Sequence, residues 1–189
     1  MPVFLTEADS PGSTNVSTPT AFQTLARARA AAAIDWLVRS IEACGGEGSA
    51  AFYSRLYQPW RGWWHQYPET TGYIIETLIA YARFAARPDL IDLAIRQADW
   101  IMTLQFDDGA LPGRSVIRGK RQGPSVFNTG QMILGLIAAA DLTQKRDYLQ
   151  SAVRAARWLA EGVDPSTGIW TRHAYVAGHA PAYYTRVCW

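Results

Sequence analysis

The chain has 189 residues, of which 49% are hydrophobic and 18% charged, and its 18 basic and 16 acidic side chains give a formal net charge of +2. This composition indicates one soluble globular domain. A general nucleic-acid-binding protein is disfavoured, because such proteins usually carry a clear basic excess. The two cysteines form no disulfide pattern, no export signal is evident at the N-terminus, and no apolar run reaches the length of a membrane span. We therefore expect a cytoplasmic protein without a transmembrane helix.

The chain divides into a short arm and one helical domain. Residues 1–20 are rich in Ser, Thr and Pro, which is typical of a disordered arm, and residues 21–189 form the domain. Apolar periodicity and Gly or Pro punctuation predict an all-α fold with no sheet of more than trivial size. The predicted helices lie near 21–43, 70–86, 88–105, 128–142 and 145–161, and a sixth starts near Tyr184.

The segment between the first two predicted helices, residues 47–69, is a long loop rich in aromatic residues. Long loops of this kind are usually functional. Trp60, Trp63, Trp64 and Tyr67 offer flat faces on which a sugar ring can stack, and His65 lies beside them as a further candidate. The alternative is that these aromatic side chains only plug one end of the domain.

An internal repeat organises the rest of the chain. Thr71 and Thr129 are 58 residues apart, and so are Trp100 and Trp158. Each unit contains two helices, the first apolar on almost all sides and the second amphipathic, which predicts a buried inner helix followed by an outer one. Such helical-hairpin repeats predict an array that curves or closes.

Four sequence runs carry a resemblance to a known family: YPETTGYII (67–75), LQFDDGALPG (104–113), VFNTGQMILGL (126–136) and AARWLAEGVDPSTGIW (155–170). They resemble the six-hairpin α/α-toroid superfamily, in particular a bacterial branch associated with polysaccharide biosynthesis. More distant similarity extends to glycosidase, uronyl-epimerase and squalene-cyclase toroids. The resemblance implies an α/α toroid, and a full ring needs roughly 350 residues at about 58 per helix pair. We therefore expect this chain to be a truncated toroid corresponding to the N-terminal half.

The resemblance places the N-termini of the inner helices at the mouth of a central cavity, where Glu69 is a candidate general acid or base. An acid in a first helical turn also simply complements the helix dipole. Glu76 lies seven residues further on the same face, so the two form a candidate carboxylate pair. Pairing of Glu76 with Arg83, or with an arginine of a neighbouring helix, is the alternative. Tyr67 completes the candidate catalytic set.

The candidate substrate-binding residues extend beyond the aromatic loop. Residues 110–140 contain no acidic side chain, yet include Arg114, Arg118 and Arg121, which suit a uronate carboxylate. A solvated run of charge is the alternative. Asn128 and Gln131 are candidates for the cavity wall, although Asn128 also suits a helix cap. The three histidines lack metal-ligand spacing, so we predict neither a metal nor a cofactor.

These residues favour a carbohydrate-active protein that acts on or binds a poly- or oligosaccharide, with a uronate-containing glycan as the sharper hypothesis. The full toroid would be a glycoside hydrolase, lyase or epimerase, and the fragment alone would be inactive. A terpene cyclase or prenyltransferase-like toroid is the second hypothesis, and a non-catalytic binding or assembly protein is the third. Because only part of a ring is present, we also expect an exposed apolar edge that promotes self-association.

Overall fold

A computed structural model describes residues 20–57, 59–174, 184, 186 and 187. These residues are mostly helical and include one minimal two-stranded sheet, which confirms the predicted all-α class. The helices are α1 (Ala21–Glu42), α2 (Pro68–Ala85), α3 (Asp89–Leu104), α4 (Val126–Thr143) and α5 (Arg146–Glu161), and the strands are β1 (Val163–Asp164) and β2 (Ile169–Trp170). The predicted N-terminal arm, apart from Thr20, and most of the predicted sixth helix lie outside the described residues.

The helix ends follow from local chemistry. Thr20 and Gln23 form a reciprocal capping box at the start of α1. Pro68 occupies the first turn of α2, where a missing N–H costs nothing, and the Ser125 side chain caps α4. Both α2 and α4 therefore begin two residues before their predicted starts at 70 and 128.

The closest helix contact joins α2 and α4. A Cβ added at Gly72 would lie 2.9 Å from the carbonyl oxygen of Gln131, and one at Gly135 would lie 2.7 Å from the carbonyl oxygen of Gly72. The C-terminal halves of the same helices border one groove, with Arg83 on α2 and Asp141 on α4. Since N-terminal half meets N-terminal half, the two helices run parallel and begin at the same end of the molecule.

The core forms where α3 packs against α2 and α5 packs against α4. Its fully buried side chains include Ile75, Leu78, Ile101, Met132 and Leu136. The apolar composition of the inner helices predicts burial on every side, but the structure shows otherwise. One face of each remains exposed, because no described element packs over it.

Two equivalent threonines hold the loops that precede the inner helices. The Thr71 hydroxyl accepts a hydrogen bond from the Ser49 N–H at 2.9 Å, and the Thr129 hydroxyl accepts one from the Leu111 N–H at 3.0 Å. Both threonines are fully buried. The 58-residue spacing of the sequence thus corresponds to a shared structural role, in which each threonine satisfies a buried loop amide.

Among the described residues, α4 is the helix that is long and apolar enough to cross a membrane, with a mean hydropathy of 1.2. More than half of it is buried inside the protein. The core helix of a globular domain meets the same criterion, so the feature is weak evidence for a span.

Large hydrophobic side chains are exposed on several helices, including Phe22 on α1, Phe84 on α2 and Leu149 on α5. Phe84 borders an open groove between α1 and α2, whose wall also includes Ile34 and Ala80. Self-association through an apolar edge stays a prediction.

Candidate functional site

Glu69 lies half-buried in the first turn of α2. Burial raises the pKa of its carboxyl group, although a hydrogen bond from the Tyr67 hydroxyl and the nearby positive charge of Arg186 act in the opposite direction. Arg186 also lies 5.9 Å from the ring centroid of Tyr73, one turn along the helix. A carboxyl group held in this way keeps its proton at a higher pH than an exposed one, as a general acid requires.

We expect the Glu69→Gln substitution to change how stability depends on pH. A raised pKa means that the folded state binds the Glu69 proton more tightly than the unfolded state does. The wild type is therefore favoured below the ordinary carboxyl pKa and loses stability, relative to the variant, as pH rises through the folded-state value. Urea unfolding between about pH 4 and 7 measures this difference.

Glu42→Gln, on an exposed turn of α1, is the matched control for this measurement. If the wild type instead gains stability relative to Glu69→Gln as pH rises, attraction to Arg186 outweighs burial and the interpretation of Glu69 as a proton donor is wrong.

Glu76 is exposed two turns further along α2. It lines an open groove of about 510 Å³ between α2 and α4, whose wall also includes Arg83 and Asp141. Within the described residues the ion pair closer than 4 Å is Arg87 with Asp89, so Glu76 is not paired with Arg83. Seven helical residues separate Glu69 and Glu76 by about 10.5 Å along the axis. Their action as a carboxylate pair stays a prediction.

The aromatic loop contains a short antiparallel hairpin that the sequence analysis missed. Isolated β-bridges join Ala50 to Gln66 and Tyr53 to Trp63. The two bridges pair residues that lie 16 and 10 positions apart. Such a short pairing leaves little alternation of apolar and polar residues, so the sequence carries only a weak signal for strands.

The hairpin divides the predicted sugar platform between two aromatic clusters, because neighbouring residues of a strand point to opposite faces. Trp63 packs against Trp36 at a centroid distance of 4.7 Å, and Trp64 stacks on Phe52 at 5.2 Å with an interplanar angle of 15°. His65 meets the edge of Trp64 at 5.3 Å. One face of Trp64 is therefore already covered, and any stacking sugar must use the other.

The loop between α3 and α4 lies at the same end of the molecule as Glu69. The Val116 N–H donates a hydrogen bond of 2.9 Å to the carbonyl oxygen of Gln66, three residues before Glu69. Arg114 and Arg118 are both exposed on this loop, with left-handed φ values of 61° and 51°. These two arginines are therefore available to a ligand.

The third arginine of the loop, Arg121, binds the end of α3. Its guanidinium donates hydrogen bonds of 2.9 and 2.6 Å to the carbonyl oxygens of Leu104 and Gln105, and it lies 4.1 Å from the ring centroid of Phe106. A cation at these carbonyls stabilises the C-terminal end of α3. The side chain thus holds the loop in place, whereas Arg114 and Arg118 are exposed without a hydrogen bond or ion pair among the described residues.

A cavity of about 240 Å³ opens beside Arg114 at the N-terminus of α4. Ser125 and His173 also line it, and the His173 ring lies 5.5 Å from that of Trp158. The sequence analysis missed His173 as a site residue, because it is far from Arg114 along the chain and belongs to no motif. The cavity combines a free guanidinium, an imidazole and a hydroxyl.

Asn128 and Gln131 lie inside the protein, with exposed fractions of 0% and 1%. Asn128 accepts a hydrogen bond of 2.8 Å from the Ser125 hydroxyl, so it supports the start of α4. Within the described part of the chain, the amide nitrogens of both side chains have no hydrogen-bond partner. Their predicted contact with substrate is not evident from this position.

Within the described residues, no group of three or more His, Cys, Asp or Glu side chains converges to hold a metal ion. Neither a known family model nor a curated protein matches the chain. Function must therefore be argued from the arrangement of Glu69, Arg114 and their neighbours.

Proposed function

We propose that the chain is part of an α/α toroid that acts on an anionic, uronate-containing oligosaccharide. Its parallel inner helices α2 and α4 and outer helices α3 and α5 support the toroid. The contacts of two glycines extend the pattern. Gly72 packs against the backbone of Met132 on the next inner helix, and Gly130, 58 residues later, packs against the side chain and Cα of Val187. This second contact supports a third inner helix that begins near Val187.

The proposal is carried mainly by the Glu69 carboxyl group at the end of the molecule where the inner helices begin. Its raised pKa and its hydrogen bond from Tyr67 suit proton donation to a glycosidic oxygen, or proton exchange at a sugar carbon. Arg186 beside it limits the rise in pKa, so the carboxylate form remains accessible and the group can return to its starting state.

The anionic character of the substrate rests on Arg114 and Arg118. Both lie on the loop that is hydrogen-bonded next to Glu69, and Arg114 borders the 240 Å³ cavity at the start of α4. No acidic residue occupies the first turn of α4. A uronate carboxylate placed there would meet a guanidinium fork and the positive end of a helix dipole.

One incubation with uronate-containing oligosaccharides, beside neutral ones of equal length, tests the proposal. New reducing ends without a 4,5-unsaturated uronate indicate a hydrolase, and new reducing ends with the absorbance of that unsaturated product indicate a lyase. Deuterium uptake at C5 from D2O without cleavage indicates an epimerase. We expect one of these signals, or saturable binding, with the uronate substrates alone. Equal binding of neutral and anionic oligosaccharides, or binding of neither, would contradict the proposal.

A further inference from the structure

Three strongly exposed hydrophobic side chains lie close together in the sequence at the end of the aromatic hairpin. Trp60 is 99% exposed, Leu56 is 84% exposed and Tyr57 is 71% exposed. Single exposed hydrophobic residues are common, but three large ones within five positions form an apolar patch that typically marks an interaction site. We refer to residues 54–57 and 59–61 as the hairpin tip.

The hairpin tip is held in a defined position on the domain. The Ser54 N–H donates a hydrogen bond of 2.7 Å to the carbonyl oxygen of Gly62, and Arg61 donates one of 2.5 Å to the carbonyl oxygen of Ala43 after α1. Gly62 has φ 76°, and a Cβ there would lie 2.3 Å from the Tyr53 ring. Glycine is therefore required where the chain returns from the tip, which presents its hydrophobic side chains away from the core.

The charged side chains of the hairpin and its flanks are all basic. Residues 48–68 contain no Asp or Glu but include Arg55 and Arg61, one on each side of the hydrophobic residues. Arg55 is exposed. Trp and Tyr flanked by basic side chains are the residues that accumulate where lipid headgroups meet the hydrocarbon of a membrane.

We propose that the hairpin tip inserts into the interfacial region of an anionic lipid bilayer. A bilayer accepts a protruding apolar tip without offering a complementary shape, whereas a protein partner must supply a pocket for each of the three side chains. The paired arginines add attraction to anionic headgroups. The inference goes beyond the proposed function and does not depend on it.

The test is co-sedimentation of the whole chain with two kinds of vesicle. Neutral vesicles contain phosphatidylcholine alone, and anionic vesicles contain phosphatidylcholine with about 30% phosphatidylglycerol, which gives them the negative surface of an anionic membrane. We expect binding to the anionic vesicles. The combined variant Leu56→Ser, Tyr57→Ser and Trp60→Ser should lower the partition coefficient at least about tenfold, because three apolar side chains no longer leave water. Arg55→Gln should lower it about fivefold on anionic vesicles, with little change on neutral ones.

The matched control is the variant Phe22→Ser and Leu25→Ser on α1, whose side chains are 79% and 50% exposed. It should bind vesicles like the wild type, and circular dichroism should show that all variants remain folded. The proposal is overturned if the wild type binds neither vesicle, which would assign the hairpin tip to a protein partner. It is equally overturned if the control loses as much binding as the tip variant, or if the tip variant binds unchanged.

Discussion

Where the wild type turns over a uronate-containing oligosaccharide, replacing Glu69 by Gln should lower that turnover about a thousandfold, because an amide can neither donate nor accept the proton that the reaction moves. The substitution keeps the shape and the first-turn position of the side chain, so substrate affinity should change little. Steady-state kinetics with the product readout found for the wild type measure kcat and KM separately. Turnover within tenfold of the wild type would remove Glu69 from the mechanism.

Tyr67→Phe distinguishes a chemical role of Glu69 from a structural one. The Tyr67 hydroxyl donates to the carboxylate and lowers its pKa, so its loss should move the Glu69-dependent limb of the pH profile to higher pH. A residue that only stabilised the fold would leave the position of that limb unchanged. Glu42→Gln, on an exposed turn of α1, should alter neither turnover nor the pH profile.

Replacing Gly72 by Leu should destabilise the protein by about 3 kcal/mol, because overpacking at a close helix contact cannot be relieved by rotating a side chain. The atoms that a Cβ would meet, 2.9 Å away, belong to the backbone of Gln131 and Met132. The helices α2 and α4 would have to separate along their contact. Urea denaturation measures the loss in free energy of unfolding.

Gly123→Ala is the control for Gly72→Leu. A Cβ at Gly123 has no neighbour within 4 Å, and its φ is not left-handed, so stability should change by less than about 0.5 kcal/mol. If Gly72→Leu unfolds at the same urea concentration as the wild type, the parallel α2–α4 contact described above is incorrect.

The sequence predicts the helices well because their signals are local. The Gly and Pro punctuation and the apolar 3/4 spacing place all five described helices within about two residues at their starts. The 58-residue repeat also predicts that Thr71 and Thr129 take equivalent positions. The hairpin was not predicted, because Tyr53 and Trp63 pair through a turn that carries no strong local pattern.

The candidate site shows the same division between local and long-range information. That the arginine loop lies at the end where α2 begins follows from the order of helices, and the hydrogen bond from Val116 to Gln66 agrees with it. The hydrogen bonds from Arg121 to the carbonyl oxygens at the end of α3 depend on the path of the loop in space. His173 reaches the cavity beside Arg114 only through the fold, so no sequence motif reveals it.

The buried side-chain amides of Asn128 and Gln131 show a third kind of information that the sequence pattern lacks. The sequence presents Asn128 and Gln131 as candidates for a cavity wall, with a helix cap as the alternative for Asn128. Their side chains are enclosed among the described residues, with Asn128 hydrogen-bonded to Ser125, and contact with a substrate stays a prediction. Whether a polar side chain faces a cavity or a neighbouring helix depends on packing across elements, which periodicity along one helix does not contain.

The most direct test of the anionic-substrate account is a calorimetric titration of a uronate oligosaccharide into three proteins at increasing salt. The proteins are the wild type, the variant Arg114→Ala with Arg118→Ala, and a control with Arg96→Ala and Arg157→Ala on exposed turns of α3 and α5. Charge attraction is screened over about 8 Å at physiological ionic strength, so wild-type affinity should fall as salt rises. The account predicts that the Arg114/Arg118 variant loses both affinity and salt dependence while the control keeps both. Unchanged affinity and unchanged salt dependence in the Arg114/Arg118 variant would contradict it.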